Sequence, residues 1–142
     1  MKGYWLVKTE PDAFSWDQQV ARPFEPWTGV RNHRAKNNLK AMRAGDWAFF
    51  YHSNVGKEIV GVVEVVREAY PDPTAEGIPG GWVAVDVKAV GPMPRPVTLA
   101  AIKSEPKLVD MALVRYSRLS VMPVTPAEWE RVCRMGGWAG PS

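Results

Sequence analysis

The side chains able to do chemistry in this sequence are few and scattered. His33 and His52 are the two whose ordinary pKa lies near neutrality. A zinc site takes three or four protein ligands, and with one cysteine, Cys133, far from both histidines, the ligand count fails. No metal is expected. The single cysteine also excludes an internal disulfide and a CxxC redox pair. Gly56-Lys57 lacks the upstream glycine and the following Ser or Thr of a phosphate-cradling loop. Glu10, in Lys8-Thr9-Glu10-Pro11, could act as a general acid or base. No titratable group of the opposite role stands near it in sequence, so it reads as a charged residue in a turn before Pro11. No catalytic residue and no cofactor are expected.

Binding chemistry is better represented. Between Trp27 and Gly45 there is no Asp or Glu, while Arg31, Arg34, Lys36, Lys40 and Arg43 all fall there. The net charge is only +3, so this uneven distribution says more than the sum. Trp27 offers a stacking face at the start of the segment, and Tyr51-His52-Ser53 places a ring beside small polar groups at its end. Stacking on an aromatic contributes roughly 1–3 kcal/mol per base. Polar groups then read the base edge, and cations hold the phosphates. A solvated basic helix followed by a core strand would show the same pattern without a ligand, and tryptophans, of which there are seven, also fill cores.

The elements that must position these residues can be read from local signals. Residues 3–8 form a first strand, Ser15-x-x-Gln18 has capping-box spacing for a short helix, and Pro23 and Pro26 end any regular structure before Trp27. Asn32 caps a helix that runs to about Met42 with Ala35, Leu39 and Met42 on its apolar stripe, and Gly45 stops it. Residues 46–53 are an aromatic strand, 54–57 a hairpin loop, 58–67 a central Val-rich strand. Residues 82–90 alternate, with Val83, Val85 and Val87 inward and Asp86 and Lys88 outward. The Pro/Gly clusters at 71–81 and 91–96 read as loops. A short helix follows Thr98, then a last strand over 119–124. Thr125-Pro126-x-Glu128 opens a final helix that ends before Gly136-Gly137. Several strands without regular βαβ alternation predict an α+β fold, a small mixed or antiparallel β-barrel with helices packed around it. One domain over 1–142 is expected. The N-terminal apolar run, Tyr4–Val7, is too short for a signal peptide, and no 18-residue apolar run exists. A soluble, cytoplasmic monomer without membrane contact is the expectation.

Seven motifs spread along the chain carry a family resemblance: Tyr4-Trp5-Leu6-Val7-Lys8-Thr9-Glu10-Pro11, Trp27-Thr28-Gly29-Val30-Arg31-Asn32, Phe49-Phe50-Tyr51-His52-Ser53, Val60-Gly61-Val62-Val63-Glu64-Val65, Ala69-Tyr70-Pro71-Asp72, Trp82-Val83-Ala84-Val85-Asp86-Val87 and Arg118-Leu119-Ser120-Val121-Met122-Pro123-Val124-Thr125. With these the chain resembles the EVE domain family, a PUA-like branch related to ASCH domains and to the YTH readers of methylated adenine. The resemblance implies a PUA-like fold with a concave pocket and no catalytic machinery. It implies binding of DNA or RNA carrying a modified cytosine or adenine. By the same resemblance the pocket is lined by Lys8, Thr9, Trp27, Thr28, Val30, Asn32, Tyr51, His52, Ser53 and Arg118. Many relatives have Ser, Asp and Tyr where this chain has Thr9, Thr28 and His33. Arg31, Arg34, Lys36, Lys40 and Arg43 are expected to contact the nucleic-acid backbone, and a sensor of a small molecule or free nucleobase would use the same pocket without the cations Lys36, Lys40 and Arg43.

Overall fold

Six strands form one sheet in the order β2-β5-β4-β3-β1-β6 in a computed structural model that describes residues 2–140. The strands are β1 (Tyr4–Thr9), β2 (Glu25–Pro26), β3 (Trp47–His52), β4 (Glu58–Pro71), β5 (Val83–Thr98) and β6 (Val121–Pro123). β1 and β3 run parallel, and the other pairings are antiparallel. Among the described residues five α-helices, α1 (Trp16–Val20), α2 (His33–Ala41), α3 (Leu99–Ser104), α4 (Ala112–Arg115) and α5 (Pro126–Gly136), and two short 3-10 helices, Pro73–Ala75 and Pro106–Leu108, complete the fold.

This is the expected α+β class, but the sheet does not close, so it is a barrel only loosely. α2 explains how the open sheet is finished. Its contacts reach β6 at one end of the sheet and β4 and β5 toward the other. β5 and β6 are four strand spacings apart, about 19 Å if flat, so the sheet curls until α2 bridges its two halves. Ala35, Leu39 and Met42 face inward and are fully buried. Asn38 fastens the helix to the edge by donating from Nδ2 to the Val121 carbonyl at 2.7 Å.

The local signals for helix ends hold in detail. Ser15 and Thr125 form complete capping boxes with Gln18 and Glu128, Asn32 and Thr98 accept from the backbone of α2 and α3, and Gly137 closes α5 in the left-handed region. Four expectations need correction. α2 ends at an extended Met42, and Gly45 serves the turn that follows. Residues 91–96 are strand, because β5 continues through its prolines with register shifts against β4; the ladder tolerates proline where a bulge frees the position from donating. Residues 25–26 pair with β5 despite Pro26. Asp86 points inward: it is 6% exposed and accepts a hydrogen bond from the Tyr70 hydroxyl. Burial, then Asp86 itself, push the Tyr70 pKa up to about 12. The alternation of residues 82–90 misses this because a buried carboxylate with a partner satisfies the same pattern as an exposed one.

Candidate functional site

Three segments meet at a cleft of about 240 Å³. The end of β1 contributes Lys8 and Thr9, the turn before α1 contributes Ala13 and Phe14, and residues 25–28 contribute Glu25, Pro26, Trp27 and Thr28.

Backbone hydrogen bonds fix each segment. The Thr9 hydroxyl donates to the Phe14 carbonyl at 3.1 Å, clamping a turn in which the Ala13 and Phe14 N–H groups both reach the Glu10 carbonyl at 2.9 Å. The Trp27 N–H donates to the Val85 carbonyl at 2.7 Å, which extends the β2–β5 pairing by one bond. Trp27 is 7% exposed and meets Phe14 and Phe50 edge-on, with centroids 6.2 and 5.7 Å away. Its indole is thus a fixed wall of the cleft and not a freely presented stacking plate.

Lys8 is held at two points. Its N–H donates to the Ser120 carbonyl, and Nζ donates to the Ser117 carbonyl at 3.0 Å while lying 5.7 Å from the Tyr51 ring centroid. Burial lowers its pKa from the ordinary lysine value. Arg22 and Glu25 add a charged rim. Arg22 Nη1 lies 2.6 Å from Glu25 Oε1, and its guanidinium sits 5.1 Å from the centre of the Phe14 ring.

Of the residues expected in the pocket, the structure brings Lys8, Thr9, Trp27 and Thr28 into the cleft lining. The others take different places. Val30 is buried in the core. The Asn32 Oδ1 accepts from the Ala35 N–H at 2.9 Å as the cap of α2. Tyr51 is 3% exposed, and burial raises its hydroxyl pKa. His52 Nε2 accepts from the Trp16 N–H at 3.1 Å, which ties α1 to β3. Burial lowers the His52 pKa, with the Glu58 and Asp17 charges opposing. The Ser53 N–H donates to the Thr9 carbonyl at 2.9 Å. Arg118 is exposed, one residue beyond the Ser117 carbonyl that holds Lys8.

Ala13, Phe14, Glu25 and Pro26 were not picked out in sequence. The available signal was the capping box at Ser15, which fixes the turn carrying Ala13 and Phe14. Glu25 had none, since nothing local reveals that β5 draws residues 25–27 against the end of β1.

The basic segment is largely engaged within the fold. Arg31 pairs with Asp72 at 3.1 Å and donates to the Thr74 hydroxyl. The Asp72 carboxylate also accepts from the Gly29 N–H at 2.8 Å, where φ is +82° and glycine is favoured, and from the Thr74 N–H. Burial raises the Asp72 pKa, but these hydrogen bonds together hold it below the ordinary carboxylate value. Lys36 donates to the Gly80 carbonyl, Arg34 lies 3.9 Å over the Tyr116 ring, and Arg43 donates to the Lys40 and Met42 carbonyls. The 72–82 loop is thereby pinned to the N-terminus of α2.

Larger depressions exist, one of about 310 Å³ beside Lys107 and Arg131 and one of about 370 Å³ beside Trp82, Lys40 and Arg43. Volume therefore does not select the site. At Trp82 the His33 ring is already stacked at 4.8 Å, and Gly80 lies against the indole. The cleft at Lys8 has an aromatic wall next to one cation and one carboxylate. Among the described residues, no group of three or more His, Cys, Asp or Glu is placed to hold a metal, and no helix is long and apolar enough to cross a membrane. Cys133 is buried, which pushes its thiol up to about 12 and leaves it unreactive at neutral pH.

Fold and cleft define a small α+β domain of the PUA-like type. An ASCH protein from Zymomonas mobilis shares this fold at a TM-score of 0.59, with 10% identity over 94% of this chain and 95% of that one. The family model described as EVE domain matches residues 3–135, and the chain belongs to the EVE domain family. Human thymocyte nuclear protein 1 is 35% identical over 93% of this chain and 73% of its own length. The solved structure of Rpa0253 from Rhodopseudomonas palustris is 63% identical, with a TM-score of 0.89 over 96% of this chain and 94% of that one. The human THYN1 protein, solved in complex with 5-methylcytosine-containing DNA, is 34% identical, with a TM-score of 0.89 over 95% of this chain and 98% of that one.

Proposed function

We propose that this chain is a non-catalytic DNA-binding domain that holds a modified base, in the first place a modified cytosine, in the cleft between Lys8 and Thr28. The carrying observation is the cleft: Trp27 and Phe14 supply apolar walls, and Lys8 and Glu25 supply polar groups of opposite kind. Its volume of about 240 Å³ falls below the roughly 300–1,000 Å³ of sites for drug-sized ligands, a scale that suits a single base. Likeness to a protein solved with 5-methylcytosine-containing DNA supports the choice of polymer and of modification. A base must leave the duplex to enter such a cleft, at a cost of a few kcal/mol, so phosphate contacts must hold the flanking strand. Arg118, next to the Ser117 carbonyl that holds Lys8, is an exposed cation near the cleft, and Lys40 and Arg43 are exposed farther off, at the C-terminal end of α2, for a longer duplex.

Labelled duplexes that differ at one position, 5-methylcytosine, cytosine or N6-methyladenine, test the reading when titrated at low and high salt. Tighter binding of the 5-methylcytosine duplex is expected, with affinity for all three falling steeply with salt. Equal and salt-insensitive binding would contradict it.

A second reading, a sensor of the free base or nucleoside, draws support from the internal engagement of Arg31, Arg34 and Lys36. Replacing Lys40 and Arg43 by Gln separates the two readings. A polymer reader loses affinity for the oligonucleotide, whereas a nucleoside sensor keeps its affinity for the monomer.

A further inference from the structure

Thymine and 5-methylcytosine carry the same 5-methyl group, so recognition of the methyl alone cannot tell them apart. They differ at position 4, where cytosine presents an amino donor and thymine a carbonyl acceptor. A reader of modified cytosine therefore needs a group that accepts and cannot donate.

The cleft contains one charged group of that kind. Glu25 is the only carboxylate in the lining, and its side chain keeps 20% exposure. Arg22 holds Oε1 at 2.6 Å, which leaves Oε2 to accept from a ligand and limits the rotamers available to the side chain. The neighbouring hydroxyls are less selective. Thr28 can donate or accept as the ligand requires. Thr9 commits its proton to the Phe14 carbonyl and so also accepts, but as a neutral group. A hydrogen bond to an ionised acceptor is about twice as strong as a neutral one. Lys8, the one cation in the lining, complements the acceptor atoms O2 and N3 of the same cytosine edge.

We propose that Glu25 is the specificity-determining residue of the cleft, accepting a hydrogen bond from the exocyclic amino group of the bound base and rejecting thymine by lone-pair repulsion at O4. Arg22 is its positioning residue. This inference rests on the reading of the cleft as a base-binding site.

The test uses the full chain and three oligonucleotides carrying 5-methylcytosine, cytosine or thymine, each opposite an abasic site so that no base-pair hydrogen bonds need be broken. Wild type is expected to favour 5-methylcytosine over thymine by about 5- to 150-fold, the range of discrimination that base-edge contacts supply. Glu25→Gln, which can turn its amide N–H₂ toward O4, should reduce that ratio at least fivefold. Glu10→Gln removes an exposed carboxylate outside the lining and should leave the ratio unchanged. A thermal melt and salt-dependent binding to an unmodified duplex check that the variants are folded. If wild type discriminates and Glu25→Gln discriminates equally, or if Glu10→Gln shifts the ratio as much, the role of Glu25 is overturned and the cleft reading stands. If wild type binds none of the three above an unmodified duplex, the cleft reading fails and takes this inference with it.

Discussion

Two aromatic clusters share β3 and differ in what covers them. On one side, Phe49 stacks on Trp129 at 3.8 Å, and Tyr4 stacks on the same indole at 4.5 Å. Trp47 lies tilted 6.3 Å from Trp129 and meets Trp138 edge-on at 6.2 Å; α5, which carries Trp129, buries Phe49, while Tyr4, Trp47 and Trp138 stay partly buried at its margin. On the other side, Phe50 meets Trp16 and Trp27 edge-on at 5.2 and 5.7 Å, Phe14 lies beyond, and the cluster opens into the cleft. Trp16 is seated so closely that a Cβ on Gly61 would fall 2.5 Å from its ring, so only glycine fits in β4 there. Residue type alone does not separate the clusters. α5 covers Phe49 and Trp129, whereas no helix covers the edge of the other cluster where half-buried Phe14 and the rim of Trp27 line the cleft beside charged groups.

If that contrast is right, Trp129→Ala should give the largest effect, a loss of about 3–5 kcal/mol of stability in urea titrations. Base preference of the folded fraction should not change. A variant that also loses base preference would show that the two clusters are not independent. Phe14→Ala, in the open cluster and only half-buried, should cost less stability but weaken binding of a modified oligonucleotide by roughly 5- to 150-fold, the equivalent of one stacking contact.

Acid should separate the supports of the two regions. Asp46 accepts from the Gly3 and Arg43 N–H groups and the Trp5 indole, and these hydrogen bonds outweigh burial to hold its pKa below the ordinary value, as at Asp72. The unfolded value is about 3.9, so both contributions are fully present above about pH 5 and disappear as pH falls through the folded-state values. His52 acts earlier. Its folded pKa lies below the ordinary value of about 6.5, so the unfolded chain takes up the proton first and stability declines from about pH 7 until the folded-state value is passed. His52→Gln should flatten this upper part of the denaturation profile and leave the lower part intact. The smallest effect is expected from Lys40→Gln or Arg43→Gln, each lowering the slope of log affinity against log salt by about one for a phosphate contact.

Much of this was legible in the sequence, for local reasons. Helix ends at Ser15, Asn32, Thr98 and Thr125 are decided by one side chain reaching one nearby N–H, so their signals survive without tertiary information. The site was half legible. The resemblance names Lys8, Thr9, Trp27 and Thr28; Phe14 comes to the cleft through the turn that the Ser15 capping box and the Thr9 hydroxyl fix, and Glu25 only because β5 pairs with residues 25–27 across the sheet. The acid-free basic stretch suggested a row of free cations. Asp72, some 40 residues away, and the Tyr116 and Gly80 contacts engage three of them, a pairing that no local pattern reveals.

On the proposed function, the cleft and not the basic helix discriminates between bases. Ala13 lines the cleft from an exposed position in the turn before α1, so Ala13→Trp fills the site without removing a side chain from either aromatic cluster. Affinities of this variant for matched duplexes with and without one 5-methylcytosine test the claim directly. The preference for the modified duplex is expected to disappear while affinity for the unmodified duplex is kept. A variant that retains the full preference would contradict it.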